Sequence, residues 1–542
     1  MTIKRLILIV LTIFAILKVS LSLIESWGQP QIQSRLELYQ TNLLLHAAEW
    51  QGGNTGASGA EQNKDLNSIR NALIGAEPLK TAEQQYQEAR DVASKSLDKA
   101  QKQLQQIESP SVTPPVGDKP QLPYPPVAEP SSPKQQLQES INKLDKLIDE
   151  LDLRLGIIKA KEGETKAALQ TWTNLSDRYK NQASNKSSVN TATVLSGLWS
   201  DPTRILPEAQ QQIQKDLDGW FRYSALAQLY KLQQRQDDLA TLQAQEQQRA
   251  EQAIFKLAIV GGIPVTGFII GVGLLIFLLA QLLIAGKRSL PSDPANLPLL
   301  AQNADTPWST PWDAETVWQV FILGFFFIGQ ILLPLVFSLL PLDPSSFDIR
   351  GKAFYVLCSY LLLAFGGLFV LYLSIKPFFP LPEGWFRFSW RGGWFLWGLG
   401  GYFVALPLVI VVSVINQKLW QGQGGSNPIL PIALQGQDGV ALAIFFVTAA
   451  VAAPVFEELL FRGFLLPSLT RYMPVWGAIL TSSLLFAIAH LSLSEVLPLM
   501  TLGILLGVVY TRSRNLLSSM LLHGLWNSGT LLSLFILGSG AK

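Results

Sequence analysis

Residues Ala453 to Leu466 read APVFEELLFRGFLL, with two adjacent carboxylates, Glu457 and Glu458, and one guanidinium, Arg462, set into an otherwise apolar run. About 20 apolar residues in a helix cross a roughly 30 Å hydrocarbon core, and the run around this stretch is long enough to do so. An ionised side chain near the bilayer centre costs roughly 2.5 to 3.5 kcal/mol, so three left alone would cost about 8 kcal/mol. Something in the fold must compensate. On a helix, Glu458 and Arg462 are four residues apart and form a favourable ion pair on one face, whereas Glu457 is rotated by about 100° and points elsewhere. A structural pair thus accounts for two of the charges and leaves Glu457 unexplained.

The whole chain agrees with a lipid setting. Its 542 residues are 48% hydrophobic and 15% charged, with a mean hydropathy of +0.25, far too apolar for a soluble protein of this length. The net charge of +2 argues against nucleic acid as a partner, since neutralising phosphates takes a large basic excess. The single cysteine, Cys358, excludes an internal disulfide and reads as a small core residue.

The expected fold is all-α: a polytopic membrane helix bundle with an extramembrane helical domain. Residues 1–25, with a basic start and apolar residues from Leu6 to Leu17 and on to Ile24, read as an uncleaved signal anchor. Residues 26–108 and 135–253 are rich in Gln, Ala, Leu, Lys and Glu and predict long amphipathic or coiled-coil helices. The proline-rich segment 109–134 between them cannot continue a helix and predicts an extended linker. In the second helical region Leu155, Gly156, Ala168 and Trp172 are spaced as in one tetratricopeptide repeat, and Trp220 to Leu242 resembles a weaker copy. Plain helical hairpins fit that pattern equally well; a TPR-like module would imply a protein partner. His46 reads as a core or surface residue rather than a ligand.

From residue 254 the chain becomes strongly apolar. Spans are expected at about 257–285, 316–340, 353–375, 393–415, 438–466, 474–491, 496–511 and 515–537, eight in this half and nine with the anchor. With the N-terminus inside, Lys4, Arg5, Lys287, Arg288, Lys376, Arg387, Arg391, Arg471, Arg512 and Arg514 fall on the cytoplasmic side, against Arg350, Lys352, Lys418 and Lys542 opposite. This bias puts the helical domain on the non-cytoplasmic side, consistent with a bacterial inner or internal membrane.

Of the three histidines in the chain, two lie in apolar segments: FAIAH, ending at His490, and HGLWN, from His523 to Asn527. His523 and Asn527 are one helical turn apart. Counted inward from the ends of their spans, Glu457, His490, His523 and Asn527 overlap in depth within about two turns, so they can form one site. A lone intramembrane histidine is commonly an interhelical hydrogen-bonding group; four polar residues at one depth fit that reading poorly. Phe486 reads as packing. No candidate site residue lies before residue 254, so the chemistry is expected to reside in 254–542.

EELLFR (Glu457 to Arg462), FAIAH and HGLWN resemble, in order, the EExxxR, FxxxH and HxxxN motifs of the CAAX-protease and bacteriocin-processing (CPBP) family of intramembrane proteases, also called the ABI family. The likeness covers a core at about 438–537 and says nothing of the helical region. It implies peptide-bond hydrolysis within the membrane, of a membrane-embedded or membrane-associated substrate, with Glu457, Glu458, His490, His523 and Asn527 as functional positions.

Amide hydrolysis needs an activated water and stabilisation of the developing oxyanion. Glu457 with His490 suits the first task, and His523 with Asn527 the second, while Glu458 held by Arg462 keeps the helix in register. Glu457, His490 and His523 equally suit three ligands of a divalent metal such as zinc, so no cofactor is fixed. Two other classes compete: a non-catalytic membrane scaffold or immunity-type protein acting through its helical domain, and a proton-coupled transporter, for which an internal repeat would be expected and none is seen.

Overall fold

The computed structural model describes residues 2–27, 29, 31–51, 74–108, 133–180, 187–287, 297–340, 343–344, 346–420, 422–427, 429–435 and 438–539. The proline-rich linker lies almost wholly outside them. The described residues form helices and loops, and divide into two compact units, residues 33–258 and residues 1–32 with 259–539.

The helical unit contains α2 (Ile32–Ala48), α3 (Pro78–Glu108), α4 (Pro133–Lys161), α5 (Thr165–Asp177), α6 (Ser187–Trp199), α7 (Ala209–Asp216), α8 (Gly219–Leu232) and the start of α9 (Gln236–Lys287). Gly156 is fixed by packing, because a Cβ there would stand 2.2 Å from the Trp172 indole nitrogen. That indole is fully buried and donates to the Leu153 carbonyl at 3.2 Å, locking α4 and α5 as a hairpin. His46 is a core residue, buried with Glu246 at 2.5 Å.

The membrane unit begins with α1 (Ile3–Trp27) and resumes with the apolar part of α9, then α10 (Ala314–Ser338), α11 (Ile349–Ile375), α12 (Trp394–Trp420), the short α13 (Ile429–Gln435), α14 (Gly439–Leu469), α15 (Val475–Ile488), α16 (Val496–Ser513) and α17 (Leu516–Gly538). Among the described residues, eight helices are long and apolar enough to cross a membrane; the protein is an integral multi-pass membrane protein. The span expected at 474–491 is α15, with 14 residues. At 1.5 Å per residue it reaches about 21 Å, short of the hydrocarbon thickness. It ends where the site begins.

Two features of α14 prepare that site. Its backbone widens into π turns at Val447–Ala452 and Leu459–Leu465, each preceding a proline, Pro454 and Pro467. A proline has no N–H to return to the previous turn, and π turns accommodate the loss while freeing carbonyls. α17 uses them: Asn527 Nδ2 donates to the Ala449 carbonyl at 2.7 Å. Gly524 lies so close that a Cβ would stand 2.8 Å from the Ala450 carbonyl oxygen. α15 and α16 likewise approach through small residues, a Cβ at Gly503 falling 2.9 Å from that of Ser483, as interfaces between membrane helices require.

Candidate active site

Glu457, His490, His523 and Asn527 line one cavity of about 750 Å³ within the membrane unit. The depth match read from the sequence therefore corresponds to real proximity. Glu458 and Arg462, on the same helix, do not line it and are fully buried.

The two adjacent glutamates have different surroundings. Glu458 Oε1 accepts from Arg462 Nη1 at 2.9 Å and from His523 Nδ1 at 3.0 Å. Arg462 also donates to the Gly503 carbonyl at 3.1 Å, and its guanidinium lies 4.5 Å from the centre of the Phe486 ring. The i,i+4 pair expected from the sequence is present, but it also anchors the His523 ring, which the sequence spacing did not show. Glu457 Oε1 accepts from the Tyr360 hydroxyl at 2.9 Å. Its other oxygen, Oε2, is buried and has no hydrogen-bond partner; His523 Nε2 lies 3.9 Å from it. An unsatisfied carboxylate oxygen at such a depth costs several kcal/mol unless something enters the cavity to meet it.

Both histidines are oriented by their Nδ1 atoms. His490 follows the end of α15 and contacts the Phe486 carbonyl through Nδ1 at 2.9 Å. A carbonyl can only accept, so Nδ1 carries the hydrogen and a neutral ring keeps a lone pair on Nε2. In His523 the carboxylate of Glu458 imposes the same choice on Nδ1. Phe486, fully buried, is the shared packing surface, with ring centres 5.0 Å from His490 and 5.7 Å from His523. It is a packing residue, and it also carries the Arg462 cation.

Three contributors to the cavity escaped the sequence reading. Tyr360, on α11, is a mid-span hydroxyl in an apolar helix, a group that needs a partner; its position away from the interfaces was the available signal. Glu495, at the start of α16, also lines the cavity and accepts the Asn427 backbone N–H at 2.8 Å. The third is α1 with the residues just after it: Ser22, Glu25, Ser26 and Gln29 line the same cavity. α1 thus forms part of the cavity wall, because it packs within the membrane unit and its polar residues recur at helical spacing on the cavity side.

Among the described residues, no three His, Cys, Asp or Glu side chains are grouped so as to hold a metal ion. Glu457, His490 and His523 share the cavity, with His523 Nε2 and Glu457 Oε2 3.9 Å apart.

Residues 439–529 match a family model described as type II CAAX prenyl endopeptidase Rce1-like. A stretch of 133 residues, 24% of this chain, is 25% identical to the "Putative membrane peptidase YdiL" of Bacillus subtilis (strain 168). The match takes in 53% of that protein, so the chain spans about half the length of this curated relative. No solved structure matches. The matched segment contains all three motifs, and the C-terminal part of this membrane protein is similar to the Rce1-like CAAX endopeptidases of the CPBP family, with a helical region added before it.

Proposed function

We propose that the membrane unit is an intramembrane endopeptidase that hydrolyses a peptide bond of a membrane-embedded or membrane-associated substrate with a water activated by Glu457 and His490. The observation that carries this reading is that Glu457, whose Oε2 is without a hydrogen bond as is that of Glu458, lines a cavity with both intramembrane histidines and Asn527 while Glu458 does not, inside the segment similar to endopeptidases. Tyr360 holds Oε1, leaving Oε2 as the base. The water's proton passes to Oε2 as its oxygen adds to the carbonyl carbon, and His490 Nε2 accepts the water's second hydrogen bond. His523 gives Nδ1–H to Glu458, its Nε2, when it carries a proton, donates to the developing oxyanion, and the second amide hydrogen of Asn527 reaches the same oxygen. The proton on Glu457 then moves to the amine nitrogen as the C–N bond breaks.

No step is routed through a metal. Glu458 and Arg462 act by position: they fix the His523 ring and keep a buried charge compensated. The helical unit, on the non-cytoplasmic side by the charge bias, would recruit a protein partner or substrate.

The test is a cleavage assay of Glu457→Ala, purified as a monodisperse protein, against membrane peptides released by the wild type. Loss of about 10³-fold in rate is expected, the size associated with removing a positioned base. Wild-type cleavage would refute the reading and leave a membrane scaffold in its place.

A further inference from the structure

The cavity runs to one end of the bundle, and the charge pattern says which end. The lining residues lie at the middle of their helices or toward one end: Tyr360 mid-way along α11, Glu457 mid-way along α14, Glu25 near the end of α1 and Gln29 just beyond it, Gln330 in the second half of α10, Glu495 at the start of α16. The chain closes around that end. The Gly425 N–H donates to the Gln29 carbonyl at 3.0 Å, the Leu493 N–H to Ser26 Oγ at 3.2 Å, and Arg350 pairs with Asp438 at 2.8 Å.

The opposite end gathers cations. Lys4 and Arg5 pair with Glu315 at 3.1 and 2.7 Å, Arg471 donates to the Trp312 carbonyl at 2.5 Å, and the Arg514 guanidinium lies 3.4 Å from the centre of the Trp308 ring. These contacts join the starts of α1 and α10 to the ends of α14 and α16, and the Arg512 guanidinium above the Trp476 ring, at 5.4 Å, places the start of α15 there too. α15 therefore runs antiparallel to α16 and counts in the alternation despite its length. Basic residues near span ends mark the cytoplasmic face, and this cation-rich end is the one the cavity does not reach.

We infer that the cavity is entered from the non-cytoplasmic side, so that the peptide bond it takes belongs to a membrane-anchored segment exposed on, or emerging at, that face, and not to a cytoplasmic tail. The inference rests on the endopeptidase reading for the nature of the substrate, but the direction of entry stands on geometry and charge alone.

The experiment uses full-length protein with Cys358→Ser and single cysteines introduced one at a time, in membrane vesicles of the two orientations, treated with a membrane-impermeant maleimide. Gln29→Cys marks the cavity end, Arg391→Cys the cation-rich end, and Ala489→Cys, beside His490, reports the cavity. Ala489→Cys should react at least 10-fold faster in vesicles exposing Gln29→Cys than in those exposing Arg391→Cys, with Arg391→Cys showing the inverse preference. Reaction of Ala489→Cys from the Arg391 side would overturn the inference. So would reaction from neither side, or labelling of Gln29→Cys from the cytoplasmic face. Labelling needs no cleavage, so this result and that of the Glu457→Ala assay are separable.

Discussion

The helical unit and the membrane unit both bury charge, and they treat it differently. In the helical unit His46 meets Glu246, and Asp152 meets both Arg90 and Arg178; these are closed ion pairs that fix one helix on another. In the membrane unit Glu458, Arg462 and His523 are also ion-paired, and although Glu458 Oε2 and Glu457 Oε2 are both buried without a hydrogen bond, only Glu457 lines the cavity. Removing water raises the cost of an unmet charge, and Glu457 differs from its neighbour in facing a cavity from which a polar group can meet it. A buried charge that is paired speaks of architecture; one left open toward a cavity speaks of chemistry.

The comparison is broken most directly at the histidines. His490→Ala and His523→Ala should each lower the cleavage rate by about 10³-fold, since losing either water activation or oxyanion stabilisation costs about 10² to 10⁴. Either variant cleaving normally would reduce its histidine to an interhelical hydrogen-bonding group. Glu458→Gln sharpens the contrast from the other side. It leaves Arg462 buried without its charge partner, a loss of roughly 3 to 5 kcal/mol, so the yield of folded protein should fall well below that of the wild type. Equal yields of the two would mean that Glu458 is not the structural member of the pair.

Asn527→Ala should cost about 10- to 100-fold, because one of two oxyanion donors remains. The Ala449 carbonyl would also lose its partner, so some loss of thermal stability should accompany it. Tyr360→Phe keeps the ring against Phe456 and removes only the hydroxyl; about a 10-fold fall in kcat with KM little changed is expected. A change in KM and stability without a change in kcat would make Tyr360 a packing residue.

Much of this was legible because charge is conspicuous in an apolar sequence. Glu457, Glu458 and Arg462 could be separated by helical rotation alone, and His490, His523 and Asn527 by their depth. What stayed hidden was tertiary. The hydrogen bond from His523 to Glu458 joins residues 65 positions apart, and no local spacing reports it. Tyr360 lies on a helix outside the matched segment, and tyrosine in an apolar helix is too common to stand out by composition. α1 resembles a simple anchor because its polar residues are spread over two turns; their common face matters only once the rest of the bundle is in place. α15 was overestimated because the apolar run continues past the helix end into the residues around His490, and hydropathy does not see where a helix stops.

The central claim is that two adjacent glutamates divide the work, and the most direct measurement compares Glu457→Gln with Glu458→Gln in one preparation, scoring thermal stability in detergent and substrate cleavage together. The account predicts that Glu457→Gln is as stable as the wild type and cleaves at least about 10³-fold more slowly, while Glu458→Gln is recovered poorly. Normal cleavage by Glu457→Gln, or instability of Glu457→Gln equal to that of Glu458→Gln, would contradict it.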